Sequence, residues 1–185
     1  MPNKLIEVRL VIPDAGILIS LAHGDLLDVI LKFAEKVRIV TTDIVEFEVT
    51  RRADLFDAKK ISDFFAANKQ KIVVEPTGYE GILNAAKKNP DLILPQNIGE
   101  NSIYGFVNSI RAEVPGIPTI VLFEDNWFAK NELGVRPTMV HLVSLVAFLK
   151  YAEKVIPNFS FETAIARITN TRPGVKSLEI NNCHN

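Results

Sequence analysis

The chain has 185 residues, 48% of them hydrophobic, and is almost electrically balanced, with 21 Lys plus Arg against 22 Asp plus Glu. That length favours one α/β domain with a substantial core over two cramped ones, and the balance excludes a global positive field that would advertise nucleic-acid binding, leaving room only for a local basic groove. The single cysteine, Cys183, stands in the tail Asn-Asn-Cys-His-Asn and cannot close an internal disulfide, which fits a reducing compartment.

In chain order, residues 1–4 lead into a strand-like stretch, 5–12, interrupted by Glu7 and Arg9. The amino terminus therefore does not read as a signal peptide, and cytoplasmic residence is the expectation. Residues 17–33 carry apolar side chains at helical spacing, broken at Gly24, and complete a first βα unit. Residues 37–41 are short and β-branched; Thr42 and Asp43 after them are candidate caps for a helix beginning near Ile44.

The spacing predicts further helices over 57–68, 79–88 and 99–113, a strand over 71–74 and a loop over 89–97. Pro118-Thr-Ile-Val-Leu-Phe123 reads as a compact strand, followed by Glu124-Asp125 and a short helix holding Trp127 and Phe128. Helices over 138–155 and 161–169 close the domain, so residues 1–170 form one unit and 171–185 a polar tail. The apolar run 139–149 contains His141 and falls short of the ~20 residues needed to cross a bilayer, so it reads as a buried helix, with no membrane association expected. Strands alternating with helices predict a three-layer α/β/α fold around a central parallel sheet.

Four acids stand out. Asp14 closely follows the first strand and Asp125 the later one, so in a parallel sheet both emerge at the carboxyl edge, where open α/β folds bind ligands. Each has a second reading as the cap of the helix that follows. Glu48 shares a helix side with Ile44 and Val45, where a carboxylate needs a partner, whereas Glu46 falls on roughly the opposite, solvated side. Glu100 leads the apolar face of Ile103, Tyr104, Val107 and Ile110, or reaches back to Asn97 in a variant capping box. Gathered at one site, such carboxylates would raise each other's pKa, a conflict that a divalent cation removes; oxygen-only ligands suit Mg²⁺ or Mn²⁺, and zinc ligands are not grouped.

The segments Val-Ile-Pro-Asp14-Ala-Gly-Ile-Leu-Ile, Thr-Thr-Asp-Ile-Val-Glu-Phe-Glu48-Val, Gly-Glu100-Asn-Ser-Ile and Val-Leu-Phe-Glu-Asp125 resemble, in order and context, the PIN-domain family, particularly VapC-like toxins. The resemblance runs from the first strand to about Gly134. It implies Mg²⁺- or Mn²⁺-dependent endoribonuclease activity, with Asp14, Glu48, Glu100 and Asp125 holding metal around an attacking water. It also implies an RNA substrate and, for many relatives, an antitoxin partner. Ala15 and Gly16 depart from the family, which commonly has a hydroxyl or amide residue there, and Glu124 competes with Asp125 as the fourth acid.

In this reading Asp14, Glu100 and Asp125 bind metal while Glu48 joins them or deprotonates the water. Arg51, Arg52, Lys130 and Arg136 are candidate phosphate contacts, although residues of this type read first as solvated surface charge. Trp127 and Phe128 are candidates for base stacking or for packing; His23 and His141 read as packed histidines and His184 as part of the tail. Two alternatives accompany the nuclease. One is a catalytically impaired RNA-binding or regulatory module of the same fold; the other is a nuclease in a stable assembly, such as a homodimer, that buries residues 139–149 against a second subunit.

Overall fold

The computed structural model describes residues 10–34, 36–89, 91–113, 116–124, 127–130 and 140–172. Five strands form one all-parallel sheet: β1 (Leu10–Pro13), β2 (Arg38–Thr42), β3 (Ile72–Glu75), β4 (Thr119–Phe123) and β5 (Val140–Ser144), in the spatial order β3-β2-β1-β4-β5. The chain winds outward from β1 through β2 to β3, then returns to the centre and winds the other way through β4 to β5. The expected three-layer α/β/α architecture is therefore observed, and its reversal of winding falls between β1 and β4. In open parallel sheets that switch point opens a crevice at the carboxyl ends of the strands.

Branched residues make the central strands. Ile12, Ile39 and Val121 are fully buried, and β1 pairs with β4 in the register Ile12 with Val121 and Pro13 with Leu122. This register brings the residues that follow both strands to the same level at the sheet edge. Helix α1 (Ala15–His23) starts directly after β1, and the Asp14 carboxylate caps it by accepting the Ile17 N–H at 2.8 Å. Helix α3 (Asp43–Thr50) starts directly after β2, capped by Thr42, whose hydroxyl accepts the Val45 N–H at 3.2 Å. Between α1 and β2 lies the short α2 (Asp28–Leu31), so the apolar run 17–33 is indeed divided near Gly24.

The remaining helices are α4 (Phe56–Ala67), α5 (Glu80–Lys88), α6 (Ile98–Glu113), α7 (Trp127–Lys130), α8 (Leu145–Val155) and α9 (Phe161–Thr171). A small cluster of Ile44, Leu83 and Ile98, with Phe47, Tyr79, Ile82 and Leu94 around it, fastens the start of α6 and α5 to α3. The expected helix over 138–155 is corrected. Residues 140–144 form the edge strand β5, paired with β4, and helix begins only at Leu145 behind the Ser144 cap; residues 138 and 139 lie outside those described. The run Val-His-Leu-Val is too short for its period to distinguish strand from helix, and pairing beside β4 decides it. Among the described residues no helix is long and apolar enough to cross a membrane.

Because Ile12 is fully enclosed in the central strand, Ile12→Ala is expected to cost about 3 kcal/mol in urea denaturation. Ile93, 90% exposed, should cost under about 0.5 kcal/mol when changed to Ala.

Candidate functional site

The switch point is closed by Asp14. Its carboxylate is 5% exposed; one oxygen accepts the Ile17 N–H and the other accepts the Glu124 N–H at 3.3 Å. The Asp14 N–H in turn donates to the Leu122 carbonyl at 2.9 Å. Asp14 is thus the helix cap that one of its two readings expects, and it also ties the ends of β1 and β4 at the carboxyl edge of the sheet.

The acid that the described structure places beside it is Glu124. Its carboxylate accepts the Ser20 hydroxyl at 2.5 Å and pairs with the Arg172 guanidinium. Gly16 makes room for it: a Cβ there would stand 3.1 Å from Glu124 Cβ and 3.5 Å from Asp14 Oδ1. Gly16 therefore keeps the first turn of α1 close to the residue that follows β4. Asp125 lies outside the described residues, as do Arg136 and the side chain of Lys130.

A second pair of acids comes from α3 and α6. The Thr42 hydroxyl bonds to the Ser102 hydroxyl at 2.6 Å, and Ser102 donates to the Gly99 carbonyl at 2.6 Å, which pins the first turn of α6 to the end of β2. Gly99 then meets Glu48 so closely that a Cβ would fall 2.2 Å from Glu48 Oε2. Burial, reinforced by the negative charge of Glu100 and partly offset by Arg51, pushes the Glu48 carboxyl up to about 7. Helical spacing had pointed to an acid needing a partner here, and the neighbour the fold supplies is another acid.

Glu46 differs from the expectation of a fully solvated residue. It is half-buried beside a cleft of about 490 Å³ lined by Thr50, Ser62, Phe65, Lys69 and Ile72, and burial raises its carboxyl pKa. The packing of α4 and β3 against α3, which no local spacing reveals, causes this. Among the phosphate-contact candidates, Arg52 is exposed and doubly hydrogen-bonded to Asp54 at 2.9 Å, while Arg51 is exposed. Phe128 is 1% exposed and Trp127 meets it edge-on at 5.1 Å, which makes packing the role of Phe128. His23 faces Asp57 at 3.9 Å, and His141 Nε2 is buried with no hydrogen-bond partner among the described residues.

Sequence reasoning missed Ser20 and Arg172. Ser20 is fully buried on an apolar helix, and Arg172 was assigned to the tail; α9 in fact runs to Thr171 and delivers Arg172 to the switch point. Among the described residues, no three His, Cys, Asp or Glu side chains converge closely enough to hold a metal ion. Asp14 and Glu124 form one acidic pair and Glu48 and Glu100 another. No protein-family model, curated protein or solved structure matches the chain.

The raised Glu48 pKa sets the sign of a pH effect. A carboxyl that titrates near 7 when folded and near 4.5 when unfolded contributes stability that is complete below 4.5 and lost as pH rises through 7. In metal-free urea denaturation, Glu48→Gln should therefore match the parent at pH 4.5 and exceed it at pH 8 by on the order of 2 kcal/mol. Equal stability at pH 8 would show that Glu48 ionises without penalty.

Proposed function

We propose that the protein is a PIN-like, metal-dependent endoribonuclease. The observation that carries this reading is the position of Asp14 and Glu124, two enclosed acids side by side at the switch point of an all-parallel sheet, the edge where such sheets bind ligands. The pair Glu48 and Glu100 supports it, since ionising Glu48 in its buried position beside another acid is opposed unless positive charge arrives. The oxygen-only donor set fits a hard cation such as Mg²⁺ or Mn²⁺.

In this reading Asp14 and the acid of the fourth motif, Glu124 or Asp125, would hold the cation; Glu100, which the described residues place with Glu48 in a separate pair, would have to close on it, and Glu48 would join them or take a proton from the attacking water. The bound cation supplies Lewis acidity toward a phosphate oxygen and acidifies water. The remaining work is positional. Asp14 is oriented by two backbone N–H groups, and Glu48 is confined by the missing side chain at Gly99, so neither acid has to be ordered during the reaction. The antitoxin partner and toxin role implied by the sequence resemblance belong to this same proposal.

One observation favours the second reading, a regulatory or RNA-binding module without hydrolysis: Arg172 already neutralises Glu124. Incubating purified protein with single-stranded RNA separates the two. The nuclease reading expects cleavage that requires Mn²⁺ or Mg²⁺, stops with EDTA, and falls at least about 100-fold in Asp14→Asn and Glu100→Gln. RNA binding without cleavage at saturating metal selects the module, and cleavage unaffected by both substitutions places any hydrolysis elsewhere.

A further inference from the structure

Strand β3 ends the sheet. One of its sides is paired to β2, and among the described residues no strand lies on the other. Its residues Ile72-Val73-Val74 are β-branched and uncharged, with Lys71 before them and Pro76 after Glu75. Such an edge is a template for pairing, and the lysine and proline at its ends confine that pairing to one short stretch. Ile72, Val73 and Val74 also line the cleft of about 490 Å³, together with Glu46 of α3, Phe65 of α4 and Lys69 just beyond α4. The cleft thus carries one charge of each sign, and the two stand toward opposite ends of the strand. Lys69 precedes the amino end of β3. Glu46 belongs to the first turn of α3, which starts directly after β2, and the register of Thr42 with Glu75 sets that end level with the carboxyl end of β3. Burial raises the Glu46 carboxyl pKa, and Lys87 and Lys69 oppose that only in part; among the described residues neither Glu46 nor Lys69 forms an ion pair.

We propose that β3 and this cleft are the interface of a homodimer, in which β3 of a second copy pairs antiparallel about a two-fold axis, Val73 opposite Val74, and Glu46 of each copy faces Lys69 of the other. The axis turns the carboxyl end of one strand toward the amino end of the other, so a surface with an acid at one end and a base at the other is complementary to itself. A parallel arrangement would bring like ends together. Because the axis stands perpendicular to the sheet, α4 of both copies stays on one face and the two clefts adjoin across it. Main-chain bonds along β3 supply affinity, and the two charge pairs fix the direction. This edge lies opposite the one formed by β5, and the dimer does not depend on the nuclease reading.

Sedimentation equilibrium of the purified full chain reads the association constant. The parent is expected to exchange between monomer and dimer at micromolar concentration. Glu46→Lys and Lys69→Glu, each of which sets like charges against each other twice in the dimer, are each expected to weaken dimerisation by about tenfold or more. Their equimolar mixture is expected to restore a dimer of near-parental strength, because both junctions then join opposite charges; no change within a single chain gives that rescue. Lys69 is exposed, so Lys69→Glu reads the interface even where Glu46→Lys does not fold. A parent that stays monomeric at millimolar concentration overturns the proposal. So does a folded Lys69→Glu that dimerises within twofold of the parent, or a mixture of the two folded variants that associates no better than either alone.

Discussion

The Asp14 carboxylate is the fixed point of the structure. Enclosed to 5% exposure, it accepts one N–H from the first turn of α1 and another from Glu124, and so joins the carboxyl ends of the two central strands. A buried carboxylate held by two backbone donors resists both rotation and solvent. The start of α1 and the position of Glu124 are both tied to that junction. Removing it would leave two backbone donors at the sheet edge without their acceptor.

A second constraint is the accumulation of like charge. The fold brings Glu48 and Glu100 together through the Thr42 and Ser102 hydroxyls and the absent side chain of Gly99, and burial with the charge of Glu100 raises the Glu48 carboxyl against the opposing pull of Arg51. The Asp14 and Glu124 side is handled differently, with Arg172 brought in from the last helix. The two pairs thus mark two solutions to one electrostatic problem: suppress ionisation by burial, or import a counter-ion. Either can be reversed by a divalent cation, which gives the crevice its proposed chemistry.

Much of this was legible in residue order because it is local. An aspartate directly after an apolar strand and three residues before a free N–H of a first helical turn is placed to accept from it, so the Asp14 cap and the first βα unit could be read without coordinates. Helical periodicity set Glu48 on the core side of its helix, where the fold also brings Glu100 near, but it could not register the half-burial of Glu46, which depends on α4 and β3. Strand β5 was hidden because a five-residue apolar segment joined to a helix has no period of its own. Arg172 was illegible for a stronger reason: its partners lie 152 and 48 residues away, and a polar residue just after a helix looks the same whether it enters solvent or a crevice.

The most direct test of the central claim is an anomalous difference map from crystals soaked in Mn²⁺. The account expects a peak bonded to an oxygen of Asp14 and to either Glu124 or Asp125 at about 2.2 Å, with Glu100 drawn toward it from its place beside Glu48 and the Arg172 guanidinium displaced from Glu124. A map in which Asp14 keeps both backbone bonds, Arg172 remains on Glu124 and Mn²⁺ is absent from the switch point would contradict it.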